Sequence, residues 1–107
     1  MEKKEISLKT KGGKSAKIDF LYQFDDSLPV ASFKLIFKAS GAVSEKILGL
    51  ARICAGVLGE GSKTLGVSEF HRKLDIRAVE ISAASNFETF GIQLNCLKEH
   101  FDFGLDM

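Results

Sequence analysis

From Ile47 to Leu58 the chain is apolar at almost every position, and Arg52 is the one charge in the run. A stretch this short cannot cross a bilayer, which needs about 20 apolar residues. A helix that is apolar around nearly its whole circumference has no face to offer water. It is therefore expected inside a domain, with other elements packed around it. Ser44 reads as its N-cap, with Glu45 in the favourable first turn, and Gly59-Glu60-Gly61 as its stop.

Strands are expected to surround that helix. Ile6, Leu8 and Thr10 alternate with Glu5, Ser7 and Lys9, and Gly12-Gly13 supplies a turn. Ala16, Ile18, Phe20, Tyr22 and Phe24 then alternate with Lys17, Asp19 and Gln23, Leu21 being the exception. A period of two predicts one buried and one wet face. Asp25-Asp26-Ser27 reads as a turn, and a third strand places Ala31, Phe33, Leu35, Phe37 and Ala39 inward. Beyond the apolar helix, a shorter helix is expected from its cap Ser68 to about residue 76, then strands over 78–85 and 87–96 joined near Asn86. The predicted class is α+β, an antiparallel-rich sheet packed against a buried helix. Leu97, Phe101 and Leu105 stand at helical spacing with no cap after them, so residues 1–107 are expected to form the N-terminal portion of one longer domain, truncated at its C-terminus. The single proline, Pro29, and the lack of any Ser/Gly-rich run predict no internal boundary.

Charge excludes some functions. A net charge of +1 gives no electrostatic case for nucleic acid. Lys9, Lys11 and Lys14 cluster about Gly12-Gly13, which reads as a solvated hairpin tip before it reads as a phosphate site. Gly56, Gly59 and Gly61 follow a helix where a phosphate cradle would precede one. Cys54 and Cys96 sit in apolar stretches, without a CxxC pattern, and are expected to be buried free thiols. His71 and His100 are the only imidazoles, and neither is expected to find a carboxylate or thiolate at clear ligand spacing. No nucleophile elbow, membrane span or signal-peptide pattern is expected, and the compartment stays open.

The segment Gly49-Leu50-Ala51-Arg52-Ile53-Cys54-Ala55-Gly56-Val57-Leu58-Gly59-Glu60-Gly61-Ser62 resembles the motif helix of the insulinase/pitrilysin family, the inverted zincins that include processing peptidases. Active members carry H-x-x-E-H there: two histidines one helical turn apart bind zinc, and the glutamate activates its water. Here Arg52, Ala55 and Gly56 hold those three positions, and none can ligate zinc or act as the base. The resemblance extends to Leu28-Pro29 and Gly41, to Ser68-Glu69-Phe70 with Leu74-Asp75, and to Ile81-Ser82-Ala83-Ala84-Ser85. The last is similar to a strand in which active members show Asn-Ala-x-Thr/Ser, with Ser82 replacing the asparagine. Ser82, Ala83 and Ser85 are thereby the substrate-contact candidates. The same residues also admit a plain packing explanation, small side chains letting a helix approach a sheet and a lone arginine reaching its edge.

The resemblance implies a non-catalytic chain, with no catalytic residue and no metal or cofactor of its own, although zinc serves active relatives. Their third ligand, a further glutamate, would lie beyond Met107. It implies a structural, substrate-enclosing role beside a catalytic peptidase domain or subunit, extended peptide as a further partner, and self-association through uncovered apolar surface. A free-standing interaction module unrelated to proteolysis is the alternative that the residues leave open.

Overall fold

The computed structural model describes residues 2–9 and 11–107. Two antiparallel sheets and three α-helices give the α+β class that the sequence predicts. Strands β1 (Glu2–Lys9) and β2 (Ser15–Tyr22) form a hairpin that is a sheet by itself. The second sheet has the order β3-β5-β4, built from β3 (Val30–Lys38), β4 (Glu80–Ser85) and β5 (Thr89–Leu97). Between β3 and β4 the chain forms α1 (Leu50–Val57) and α2 (Val67–Ile76), and α3 (Phe101–Asp106) follows β5.

The core lies on one face of the three-stranded sheet. Register sets Phe33 opposite Leu94 and Leu94 opposite Ile81, so one row of apolar side chains crosses all three strands. Phe70 and Leu74 from α2, one helical turn apart, close over Leu94, Cys96 and Val79. Helix α3 completes the cover. Phe101 meets Phe33 edge to face at 6.5 Å between ring centroids, and the Arg77 guanidinium lies 4.2 Å from the Phe103 ring centre. Gly104 is buried because the Leu94 methyls occupy the place of a side chain there. Burial of a large apolar side chain such as Phe70, Leu74 or Leu94 contributes up to about 1.5–3 kcal/mol.

Several sequence expectations are corrected. Helix α1 is not buried: none of its residues is enclosed, Ile53 is 64% exposed, and Leu48 just before it is 94% exposed. Its least exposed positions are Ala51 and Ala55, a narrow face of small residues, and α1 packs against β4. The large apolar side chains point elsewhere. Cys54 is exposed with them, against expectation, whereas Cys96 is buried as expected. Ser44 does not cap α1; it ends a 3-10 turn, Ala42–Ser44, and its hydroxyl donates to the Ala39 carbonyl at 2.6 Å. Helix α2 starts after Gly66, without a Ser68 cap.

The hairpin also departs from expectation. Pairing puts Ile6 opposite Ile18, Leu8 opposite Ala16 and Lys4 opposite Phe20, so the two alternating patterns do share one apolar face. Among the described residues no element covers it: all of β1 is exposed, and in β2 only Phe20 is half-buried. The opposite face carries ion pairs, Lys3 with Asp19 at 3.3 Å and Lys17 with Glu5 at 3.1 Å. The expectation for Thr10 falls outside the described residues. A radius of gyration of 15.7 Å, against about 13 Å for a compact chain of this size, reflects the outstretched hairpin. In β3, Phe37 is 46% exposed, and the inward series ends before Ala39, which turns to a positive φ of 51°. Leu97 belongs to β5 and Leu105 is half exposed, so α3 packs through Phe101, Phe103 and Gly104, not through the Leu97–Phe101–Leu105 series.

Candidate functional site

Helix α1 is set by a carboxylate five residues before its first residue. Glu45 accepts the Gly49 N–H through Oε2 and the Ala51 N–H through Oε1, each at 2.8 Å. Gly49 turns the chain with φ at +84°, a conformation that a side chain resists, and α1 begins at the next residue. One of the unsatisfied amides at the N-terminus of a helix is thus satisfied from outside the helix.

On this helix Arg52 and Gly56, one turn apart, are both exposed, and Ala55 is half-buried on the small-residue face. A Cβ on Gly56 would meet nothing within 4 Å, so space for larger groups exists beside it. The donor set is one guanidinium and two positions without any polar side-chain atom. It offers a cation no lone pair and a peptide bond no base. Among the described residues no group of three or more His, Cys, Asp or Glu side chains could hold a metal ion, and no helix is long and apolar enough to cross a membrane.

The strand candidates do not share a face. Ala83 and Ser85 lie on the core face of β4, opposite Ile92 and Phe90, whereas Ser82 points to the outer face opposite Gln93. That outer face carries a polar strip that the sequence analysis missed. The Ser32 hydroxyl donates to Asn95 Oδ1 at 2.8 Å, and Gln93 Nε2 donates to the same oxygen at 3.3 Å. The alternation of Gln93 and Asn95 with apolar neighbours in β5 is the signal that could have located it. β4 is one edge of its sheet and β3 the other.

Histidine placement brings another correction. His71 and Asp75 are i,i+4 on α2 and line a shallow depression with Glu80, contrary to the expectation that neither histidine has a carboxylate at ligand spacing. The ring of His71 meets Phe70 edge-on at 5.9 Å. His100 Nε2 lies 3.6 Å from a Glu99 oxygen, a long contact on the surface. Nearby, Arg72 grips Glu69 with two donors at 2.7 and 3.1 Å, which holds the Glu69 carboxyl below its ordinary pKa. Burial pushes the Cys96 thiol up. A second shallow, largely apolar depression is lined by Pro29, Leu97, Lys98 and Glu99.

No known family model matches the chain. Among curated proteins it is similar to the non-peptidase homolog YmxG of Helicobacter pylori, with 36% identity over 88 residues. That match takes in 81% of this chain and 20% of the relative. The chain thus spans about a fifth of the length of the curated relative it matches. Its similarity is to a peptidase-related protein of the non-peptidase kind.

Proposed function

We propose that this chain is the N-terminal portion of a non-catalytic, insulinase-type peptidase-like polypeptide, which helps to enclose substrate beside a catalytic domain or subunit that holds the zinc. The observation that carries this reading is the match to a non-peptidase relative across 81% of the chain, with Arg52, Ala55 and Gly56 at the positions of the zinc motif it resembles. The chain then supplies wall and contact surface, not chemistry. The edge strand β4, carrying Ser82, Ala83 and Ser85, is where extended peptide would add by backbone hydrogen bonding.

The test is to co-express the full-length polypeptide with the H-x-x-E-H peptidase encoded in the same genome, and to measure peptide hydrolysis. The expected result is a stable complex whose cleavage depends on the partner's zinc, with no cleavage by the chain alone. Chelator-sensitive hydrolysis by the isolated chain, or indifference of the peptidase to its presence, would overturn the proposal.

A further inference from the structure

The tip of the hairpin and the segment at its base carry opposite charge, and they stand too far apart to meet within one molecule. Residues 2–22 hold six lysines against Glu2, Glu5 and Asp19, a surplus of three positive charges, so within a total of +1 the rest of the chain is net negative. The surplus is concentrated at the tip: Lys11 and Lys14 flank the turn, and Lys9 ends β1. At the base, Asp25 and Asp26 are exposed and Glu99 lines the apolar depression floored by Pro29 and Leu97. Lys98 lines the same depression, so Asp25, Asp26 and Glu99 leave the base with a surplus of two negative charges, and Phe24 connects base and hairpin, its ring centre 5.3 Å from the Lys98 ammonium. Strands of eight residues make a ribbon roughly 27 Å long, and its antiparallel pairing prevents the tip from folding back.

We propose that a second copy of this chain covers the apolar hairpin face, the two hairpins lying antiparallel face to face so that each lysine tip reaches the acidic, apolar-floored base of the other. The arrangement closes with two-fold symmetry, because every tip-to-base contact occurs twice. Ile6, Leu8, Ile18, Phe20 and Tyr22 of each copy then leave water. One ribbon face offers roughly 270 Å², well below the ~800 Å² per partner of a tight complex, so the dimer is weak and sensitive to salt.

The experiment is sedimentation and light scattering of the whole chain up to about 1 mM at low and high salt. Wild type is expected to dimerise reversibly, more weakly at high salt. Lys11→Glu with Lys14→Glu, or Asp26→Lys with Glu99→Lys, should each weaken association about tenfold or more, with unchanged far-UV spectra. Mixing the two double variants should restore a heterodimer, since each reversed tip then meets a base of opposite sign. A strictly monomeric wild type, or no recovery on mixing, would overturn the proposal. So would binding of the monomer to anionic vesicles that the lysine variants lose and the acidic-site variants keep, which would assign the hairpin to a lipid surface.

Discussion

The Glu45 carboxylate and the Ala51 amide are joined at 2.8 Å across a loop that contains the left-handed Gly49. The bond fixes where α1 starts, and so where Arg52 and Ala55 stand relative to β4. Helix caps of this kind contribute about 0.5–2 kcal/mol. Glu45→Ala is expected to lower stability by about 1 kcal/mol, and Glu45→Gln by less, because one amide oxygen can still accept. Urea unfolding of both variants measures it.

Two buried glycines should respond differently to alanine. A Cβ on Gly41 would collide with backbone atoms of Asn86 and Phe87, which are held by the Ala42 and Val43 amides at 3.0 and 2.9 Å. On Gly104 the collision is with Leu94 methyls, the far end of a side chain that can rotate, and alanine favours the helix. Gly41→Ala is expected to cost about 1–3 kcal/mol and Gly104→Ala clearly less. Thermal melts of the two variants order them.

How far the fold was legible depends on which surfaces meet. Alternation placed β1, β2, β3 and β5, because period two is a local property of the chain, and pairing then brings Ile6, Leu8, Ile18 and Phe20 to one apolar face. Whether that face is covered is not local, and the same pattern that encloses Phe33 and Leu94 leaves Ile6 and Ile18 in water. The burial of α1 was misread for the same reason. Leu48, Ile53 and Val57 are apolar, yet the face that packs is the one with alanines. Caps were misplaced because Ser44 and Ser68 are good candidates by type, whereas the capping group in use comes from Glu45, several residues upstream. Arg52, Ala55 and Gly56 were singled out by a resemblance, and the structure adds only their exposure and their place on α1. Alternation gives Ser32, Gln93 and Asn95 a face, but which of them bond to each other follows only from the strand register.

Thiol chemistry separates the two cysteines. Cys54 is exposed on α1, while Cys96 is buried and its pKa is raised by that burial. Since the thiolate is the reactive form, a maleimide or aromatic disulfide reagent is expected to label Cys54 rapidly and Cys96 only on unfolding. Mass spectrometry of a labelling time course checks it. Equal rates at both sites would contradict the burial of Cys96.

The Glu69–Arg72 pair predicts a pH dependence with a definite sign. Arg72 depresses the Glu69 pKa, so the folded state binds a proton less readily there than the unfolded chain. The stabilisation is therefore complete above the unfolded glutamate pKa and is lost as pH falls through the depressed folded value. Both groups are exposed, so the effect is small. Melts of Glu69→Gln should lie below wild type at neutral pH and converge with it in acid; an undiminished gap in acid would exclude this origin.

Restoring the zinc motif is the sharpest trial of what the motif helix can do. In Arg52→His with Ala55→Glu and Gly56→His, both new imidazoles stand on exposed positions one turn apart, with open space beside residue 56. Two such histidines bind zinc weakly, because a catalytic site needs three protein ligands to hold the metal and leave one position for water. Among the described residues no cluster of His, Cys, Asp or Glu side chains supplies that third ligand. The new glutamate, moreover, enters at a half-buried position on the face that packs toward β4, where a carboxylate is costly to desolvate. The triple variant is therefore expected to be less stable than wild type, to bind zinc measurably but loosely, and to cleave no peptide. Metal titration followed by fluorogenic peptide assays with and without chelator reads all three. Chelator-sensitive turnover would mean that a third donor reaches the helix from within these 107 residues, and would overturn the assignment of this chain as structural wall.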